Sequence, residues 1–97
     1  MEALVLRNCR FFSARDEAHF FGWLESIPGV VRVVGGPSGL VITLRSTRLS
    51  EVALRELLAL HARYGLPMRQ LARFETLRNK TWFRSKQAYW YARVFAK

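Results

Sequence analysis

The amino-acid sequence predicts an α+β domain in which two amphipathic helices cover one face of an antiparallel sheet. Three observations support this fold class. Apolar residues recur with helical spacing in two segments, β-branched residues form short runs, and glycine or proline stands where these segments end. The chain has 97 residues, of which 51% are hydrophobic, enough for one folded core. We expect residues 1–97 to form a single domain, with residues 75–97 as an aromatic, basic extension packed on it.

The first predicted elements are a strand and a helix. Apolar residues from Leu4 onward indicate a strand within residues 4–12. Ser13 and Asp16 have the spacing of a capping box, in which the serine accepts an N–H of the first helical turn and the acid reaches back. One apolar face then follows, formed by Phe20, Trp23, Leu24 and Ile27. Pro28 and Gly29 end this helix.

A β-hairpin is predicted next. Residues 30–34 are β-branched except for Arg32, residues 35–39 are rich in glycine, and residues 40–45 place Leu40, Ile42 and Leu44 on one face. A second helix is expected to begin near Arg48 or Ser50 and to extend to Tyr64. Gly65 suits the left-handed position after its end, and Pro67 prevents its continuation.

The last predicted strand covers residues 68–74 and completes the order β-α-β-β-α-β. This order is typical of a ferredoxin-like sandwich, an antiparallel sheet with both helices on one face. The chain continues beyond that plan. Asn79 or Thr81 is expected to cap an extra C-terminal helix that extends to Phe95, and the aromatic residues of this segment are expected to pack on the domain.

The positive charge is concentrated in the last third of the chain. Residues 1–68 hold eight Arg and Lys against six Asp and Glu, whereas residues 69–97 hold eight against Glu75 alone. The two balances are +2 and +7 of a net +9. Arginine, which suits bidentate contacts with carboxylate and phosphate, outnumbers lysine 13 to 3. Such a field attracts an acidic protein or a nucleic acid.

Catalytic and metal-binding patterns are not found in the sequence. The two histidines, His19 and His61, stand on different predicted helices, and one cysteine cannot complete a zinc site or an internal disulfide. The glycine-rich stretch lacks the lysine and the spacing of phosphate-binding loops. We expect no enzyme activity, no cofactor and no metal. The small-enzyme alternative depends on Cys9, whose pKa nearby Arg7 and Arg10 would lower.

No apolar run is long enough to span a bilayer, and the N-terminus does not resemble a signal peptide. We therefore expect a cytoplasmic protein with no membrane partner.

The candidate binding residues all lie in the C-terminal third. They are Arg69, Arg73, Arg78, Lys80, Arg84, Lys86, Tyr89, Tyr91 and Arg93. Arginine and aromatic residues are enriched in protein interfaces, so the main hypothesis is a non-enzymatic module that binds an acidic protein or a second copy of itself. The alternative is an RNA- or single-strand-binding protein, in which aromatic rings stack on bases. The predicted strands 30–34 and 40–45 hold no aromatic residue, so stacking would need the C-terminal segment.

Several segments resemble small uncharacterised bacterial α/β proteins. They are residues 20–28, residues 54–65, and the C-terminal run that includes Trp82-Phe83-Arg84, Ala88-Tyr89-Trp90-Tyr91 and Val94-Phe95. Some proteins of this size and build are immunity proteins that block the toxins of competing bacteria. The resemblance implies a cytoplasmic, non-enzymatic protein binder of the immunity or antitoxin type, and it brings no defined site with it.

Overall fold

The two amphipathic helices and the hairpin form where the sequence predicts them in a computed structural model, which describes residues 1–37 and 39–96. The elements in chain order are β1 (Glu2–Leu6), α1 (Ala14–Ser26), β2 (Val30–Gly36), β3 (Gly39–Leu44), α2 (Glu51–Arg63), a 3-10 helix (Arg69–Phe74), α3 (Lys80–Phe83) and α4 (Tyr91–Val94). None of the helices within these ranges has the length and apolar content needed to cross a bilayer.

The sheet has three antiparallel strands in the order β1-β3-β2. In the register, Leu4 lies opposite Ile42, and Val33 lies on the other side of Ile42. Side chains alternate between the two faces of a strand, so these residues share the face that the helices cover. The buried core joins this face to both helices and includes Leu4, Leu6, Ile42 and Leu44 of the sheet with Phe20, Leu24, Leu54, Leu57 and Leu58 of the helices.

Serine caps fix the starts of both long helices. Ser13 Oγ accepts the Asp16 N–H at 3.1 Å, and Ser50 Oγ accepts the Ala53 N–H at 3.1 Å. The acid of the predicted capping box also reaches back, but it accepts the N–H of Phe12. Because these bonds satisfy donors that the helix itself leaves free, they define where each helix begins.

The hairpin is tighter than predicted, since its strands extend to Gly36 and resume at Gly39. Ser38, within the expected five-residue loop, lies outside the described residues. Gly39 has a φ of 121°, and a Cβ there would collide with the carbonyl oxygen of Leu6. Only glycine therefore fits where β3 passes the end of β1.

The predicted fourth strand is wrong, so the fold is α+β but not a full ferredoxin-like sandwich. Residues 69–74 form a 3-10 helix beside β1. Its buried side chains are Leu71 and Phe74, preceded by buried Met68, and a spacing of three residues is that of a 3-10 helix. Side chains, rather than a strand, occupy this edge of the sheet: Gln70 donates to the Val5 carbonyl at 3.1 Å, and Arg73 donates to the Ala3 carbonyl at 2.8 Å.

The single C-terminal helix predicted to extend to Phe95 is also wrong, because the segment forms two one-turn helices, α3 and α4. The indole N–H of Trp90 donates to the Phe83 carbonyl at 2.7 Å. A continuous helix would give that carbonyl to the N–H of Gln87, and that N–H instead meets the Ser85 hydroxyl at 3.4 Å. The side chain of Trp90 therefore accounts for the break.

Candidate binding surface

Aromatic side chains pack the C-terminal segment against the rest of the molecule. Phe83 is fully buried and Trp90 is 5% exposed, whereas Trp82 and Phe95 are half-buried. Ring centroids of Phe83 and Phe95 lie 4.9 Å apart, and those of Trp82 and Trp90 lie 6.0 Å apart. These four rings serve packing, as the sequence suggested.

The C-terminal segment contacts α2 at Arg55, a residue that is not among the candidates predicted from the sequence. Its guanidinium carbon lies 4.2 Å from the centre of the Trp82 ring and 5.8 Å from that of Trp90. Its Nε also donates to Glu51 at 2.8 Å, one helical turn earlier. A cation over an aromatic face is attracted by the ring's negative charge distribution. The Glu51–Arg55 spacing was visible in the sequence, but the tryptophans that meet Arg55 are distant in the chain.

All seven predicted cations are exposed, yet two of them are already engaged. Arg73 binds the Ala3 carbonyl and lies 3.7 Å from the carboxylate of Glu2. Arg84 makes two hydrogen bonds to Glu75, at 2.8 and 2.7 Å, and its guanidinium stands 4.2 Å from the centre of the Phe95 ring. The hydrogen bonds from Arg84 lower the pKa of the Glu75 carboxyl. These two arginines stabilise the fold and are less available to a partner.

The remaining five cations make no ion pair within residues 1–37 and 39–96, and we call them the basic set. They are Arg69, Arg78, Lys80, Lys86 and Arg93. Glu75, the one acid of this third of the chain, is held by Arg84. Within the described residues the basic set therefore forms no ion pair, although Lys80 is close enough to Glu75 to help lower the pKa of that carboxyl.

The two predicted tyrosines have different surroundings. Tyr89 is 61% exposed and stacks edge-on against Trp90, with the ring centroids 4.8 Å apart. Burial of part of its ring is the main cause that raises its pKa, and the charges of Arg55 and Glu56 on α2 act on it in opposite directions. Tyr91 is half-buried and packs 5.7 Å from Phe95. Tyr89 is the better placed of the two to touch a partner.

The groups considered for chemistry differ in burial and in hydrogen bonding. Partial burial raises the pKa of the Cys9 thiol, opposite to the direction expected of a nucleophile. His61 is fully buried, and its Nδ1 lies 2.8 Å from the Leu57 carbonyl. His19 is exposed on α1. Within the described ranges, no three His, Cys, Asp or Glu side chains are grouped as a metal site would require.

Comparisons with known proteins add no relative to this description. The chain matches no protein-family model, no curated protein sequence and no solved structure.

Proposed function

We propose that this chain is a non-enzymatic binding module whose basic set and Tyr89 dock onto an acidic protein. The proposal rests on one observation, that aromatic and basic side chains have different roles in the C-terminal third. Its aromatic rings are mostly used in packing, while the five cations of the basic set are exposed and form no ion pair with the described residues. Unpaired surface charge accelerates and orients the approach of an oppositely charged partner.

Nucleic-acid binding is the alternative, and it has less support. Proteins that bind single strands combine basic side chains with aromatic faces on which bases stack. Here Phe83 and Trp90 are buried, and Trp82 faces Arg55. Tyr89 is the most exposed aromatic side chain of the segment. One ring gives a poor stacking platform, so recognition of carboxylates agrees better with the arrangement.

The finer form of the proposal is an immunity or antitoxin role, and it is supported by the resemblance to small bacterial proteins of that kind. A toxin encoded beside this chain is then the first partner to test.

The test is purification of the tagged chain from its native host, comparing two four-site charge reversals. The first replaces part of the basic set with glutamate, at Arg78, Lys80, Lys86 and Arg93. The matched control replaces exposed arginines of the first half with glutamate, at Arg7, Arg10, Arg45 and Arg48. We expect a stoichiometric acidic protein to accompany the wild type and the control but not the first variant.

Titration with random-sequence RNA and single-stranded DNA distinguishes nucleic-acid binding from protein binding. Nucleic acid would be favoured if binding is tight, if the logarithm of the binding constant falls linearly with the logarithm of the salt concentration, and if no stoichiometric protein is found. Equal retention of a protein by both charge-reversed variants would remove the basic set from the interface.

A further inference from the structure

The second surface of interest is the free edge of the sheet at β2. Of the described elements, only β3 pairs with β2. At the opposite edge, the outward carbonyls of Ala3 and Val5 are taken by Arg73 and Gln70. Backbone groups alternate in direction along each strand, so the backbone of Ile42 points to β1 and that of Val41 to β2. The N–H and C=O groups of Val33 and Gly35 therefore face the open edge.

Two separate clefts lie between α1 and the sheet. The first, of about 320 Å³, opens at the hairpin end of the sheet and is lined by Glu17 and Phe21 of α1, by Gly35 and Gly36, and by the ends of β1 and β3 with the loop that follows β1. The second, of about 220 Å³, is lined by Glu25 of α1 and residues 30–33, which include Arg32. The three α1 side chains are spaced four residues apart and so lie on one stripe of the helix. A free strand edge beside a helix is the arrangement by which several domains accept an extended peptide as an extra strand.

The two acids of this stripe differ from the other five in the chain. Five acids hold a side-chain partner within the described residues: Glu2, Asp16, Glu51, Glu56 and Glu75. Glu17 and Glu25 are exposed and make no such contact within residues 1–37 and 39–96. Glu17 lines the first cleft and Glu25 the second. Arg32 also lines the second cleft, but it lies opposite Thr43 in the register and so on the face of the sheet away from α1. Two acids that form no ion pair with the described residues, one towards each end of the free edge, favour a basic occupant.

We propose that the β2 edge binds an extended basic segment of another protein by strand addition, with the pattern basic-x-apolar-x-basic. Eight helical residues separate Glu17 from Glu25 along α1, a rise of about 12 Å. Four residues of an extended strand span about 13 Å, and alternate residues share a face. The two basic side chains therefore meet Glu17 and Glu25, and the central apolar side chain meets Phe21.

A second copy of the chain fits this edge less well. Two-fold pairing of β2 with itself would set the Glu17-to-Glu25 stripe of one α1 against the same stripe of the other, and like charges facing each other oppose association. The strand β2 also carries its single cation, Arg32, between valines rather than two cations four residues apart. Charge therefore selects a foreign basic segment.

The experiment titrates the full chain with two synthetic peptides of equal composition. The probe is Ser-Thr-Arg-Thr-Val-Thr-Arg-Thr-Ser, and the control is Ser-Thr-Thr-Arg-Val-Arg-Thr-Thr-Ser, which turns both arginines to the face opposite the valine. We expect the probe to bind roughly tenfold more tightly and to shift the backbone amide NMR signals of Val33 and Gly35 most.

Glu17→Gln and Glu25→Gln should each weaken binding of the probe about threefold, whereas Glu51→Gln on α2 should leave it unchanged. Equal affinity for the two peptides, or amide shifts confined to the C-terminal third, would overturn the proposal. It also fails if the probe does not bind at all, or if sedimentation shows that the chain alone dimerises and Val31→Lys at β2 dissociates the dimer.

Discussion

The segment through α2 and the segment from Arg69 onward are stabilised in different ways. Each long helix begins at a serine whose hydroxyl accepts a backbone N–H. The residues directly before the three short helices, Met68, Asn79 and Trp90, make no such capping bond into their helix. Thr76 and Asn79 exchange two side-chain-to-backbone bonds, but in the turn that precedes α3. Helices of one or two turns are not stable by themselves. The C-terminal third therefore depends on contacts with the core and on side chains that bond to distant backbone groups, such as Gln70 and Arg73.

This difference gives the molecule a regular scaffold and a charged segment attached to it by aromatic rings. The attachment leaves the basic set in solvent because most of the large apolar side chains of the same segment, such as Phe74, Phe83 and Trp90, are buried. Each of the following experiments tests how far the C-terminal third depends on the core.

The largest effect is expected for Phe83→Ala, which removes a fully buried ring in contact with Phe95 and Trp90. We expect the free energy of unfolding to fall by about 3–5 kcal/mol, because the substitution loses apolar burial and leaves a cavity. The measurement is urea denaturation followed by circular dichroism. The control Phe12→Ala removes a ring that is 91% exposed and should change little. A small loss for Phe83→Ala would show that the C-terminal third contributes little to the core.

An acid-dependent loss of stability is expected next, from His61. Burial, as the main cause, lowers its pKa from 6.5 to about 4, and nearby Arg93 acts in the same direction. Between these values the unfolded chain binds a proton that the folded chain does not. The free energy of unfolding therefore falls as pH decreases from 6.5 towards 4, by at most about 3 kcal/mol, and His61 adds no pH dependence above that window.

The measurement for His61 is urea denaturation at a series of pH values in that window, with His61→Gln as the comparison. The variant should be less stable near neutral pH but should lose less stability on acidification. Parallel curves for the two proteins would show that His61 does not resist protonation in the fold.

The smallest loss of unfolding free energy is expected when a tryptophan hydrogen bond is removed. One such bond lies in each region, so the two losses can be compared. The Trp90 indole serves the buried Phe83 carbonyl, whereas the Trp23 indole donates at 2.8 Å to Glu56, which is half-buried on α2. We expect Trp90→Phe to cost about 1–3 kcal/mol, since the carbonyl loses its donor away from water. Trp23→Phe should cost less, because water reaches the Glu56 carboxylate. Denaturation of both variants under one condition gives the comparison, and a reversed order would contradict it.

Most of the scaffold could be predicted because its signals are local. Ser13 and Ser50 mark helix starts, Gly65 has the expected left-handed φ of 65°, and the β-branched run forms β2. The candidate cations could also be identified from their positions in the sequence. Their present roles could not, since Arg73 and Arg84 are distinguished from the basic set only by the groups that they meet in space.

The prediction of a strand at residues 68–74 is wrong for a reason that can be given from the sequence. Met68, Leu71 and Phe74 are spaced three apart, which fits a 3-10 helix, but the same residues fill the place where this fold class has its fourth strand. Whether side chains or a strand bind the edge of β1 depends on Gln70 and Arg73 reaching carbonyls about 70 positions earlier in the chain.

The sequence by itself determined the caps, the hairpin, the two helical faces and the concentration of charge after residue 68, because each depends on neighbours within a few residues. The tertiary structure decided that the sheet has three strands, that the C-terminal segment meets α2 through Arg55, Trp82 and Trp90, and that two acids without an ion pair among the described residues lie beside the free edge of β2. The physical reason is the same in each case. A hydrogen bond or a contact between residues far apart in sequence forms only once the core has brought them together.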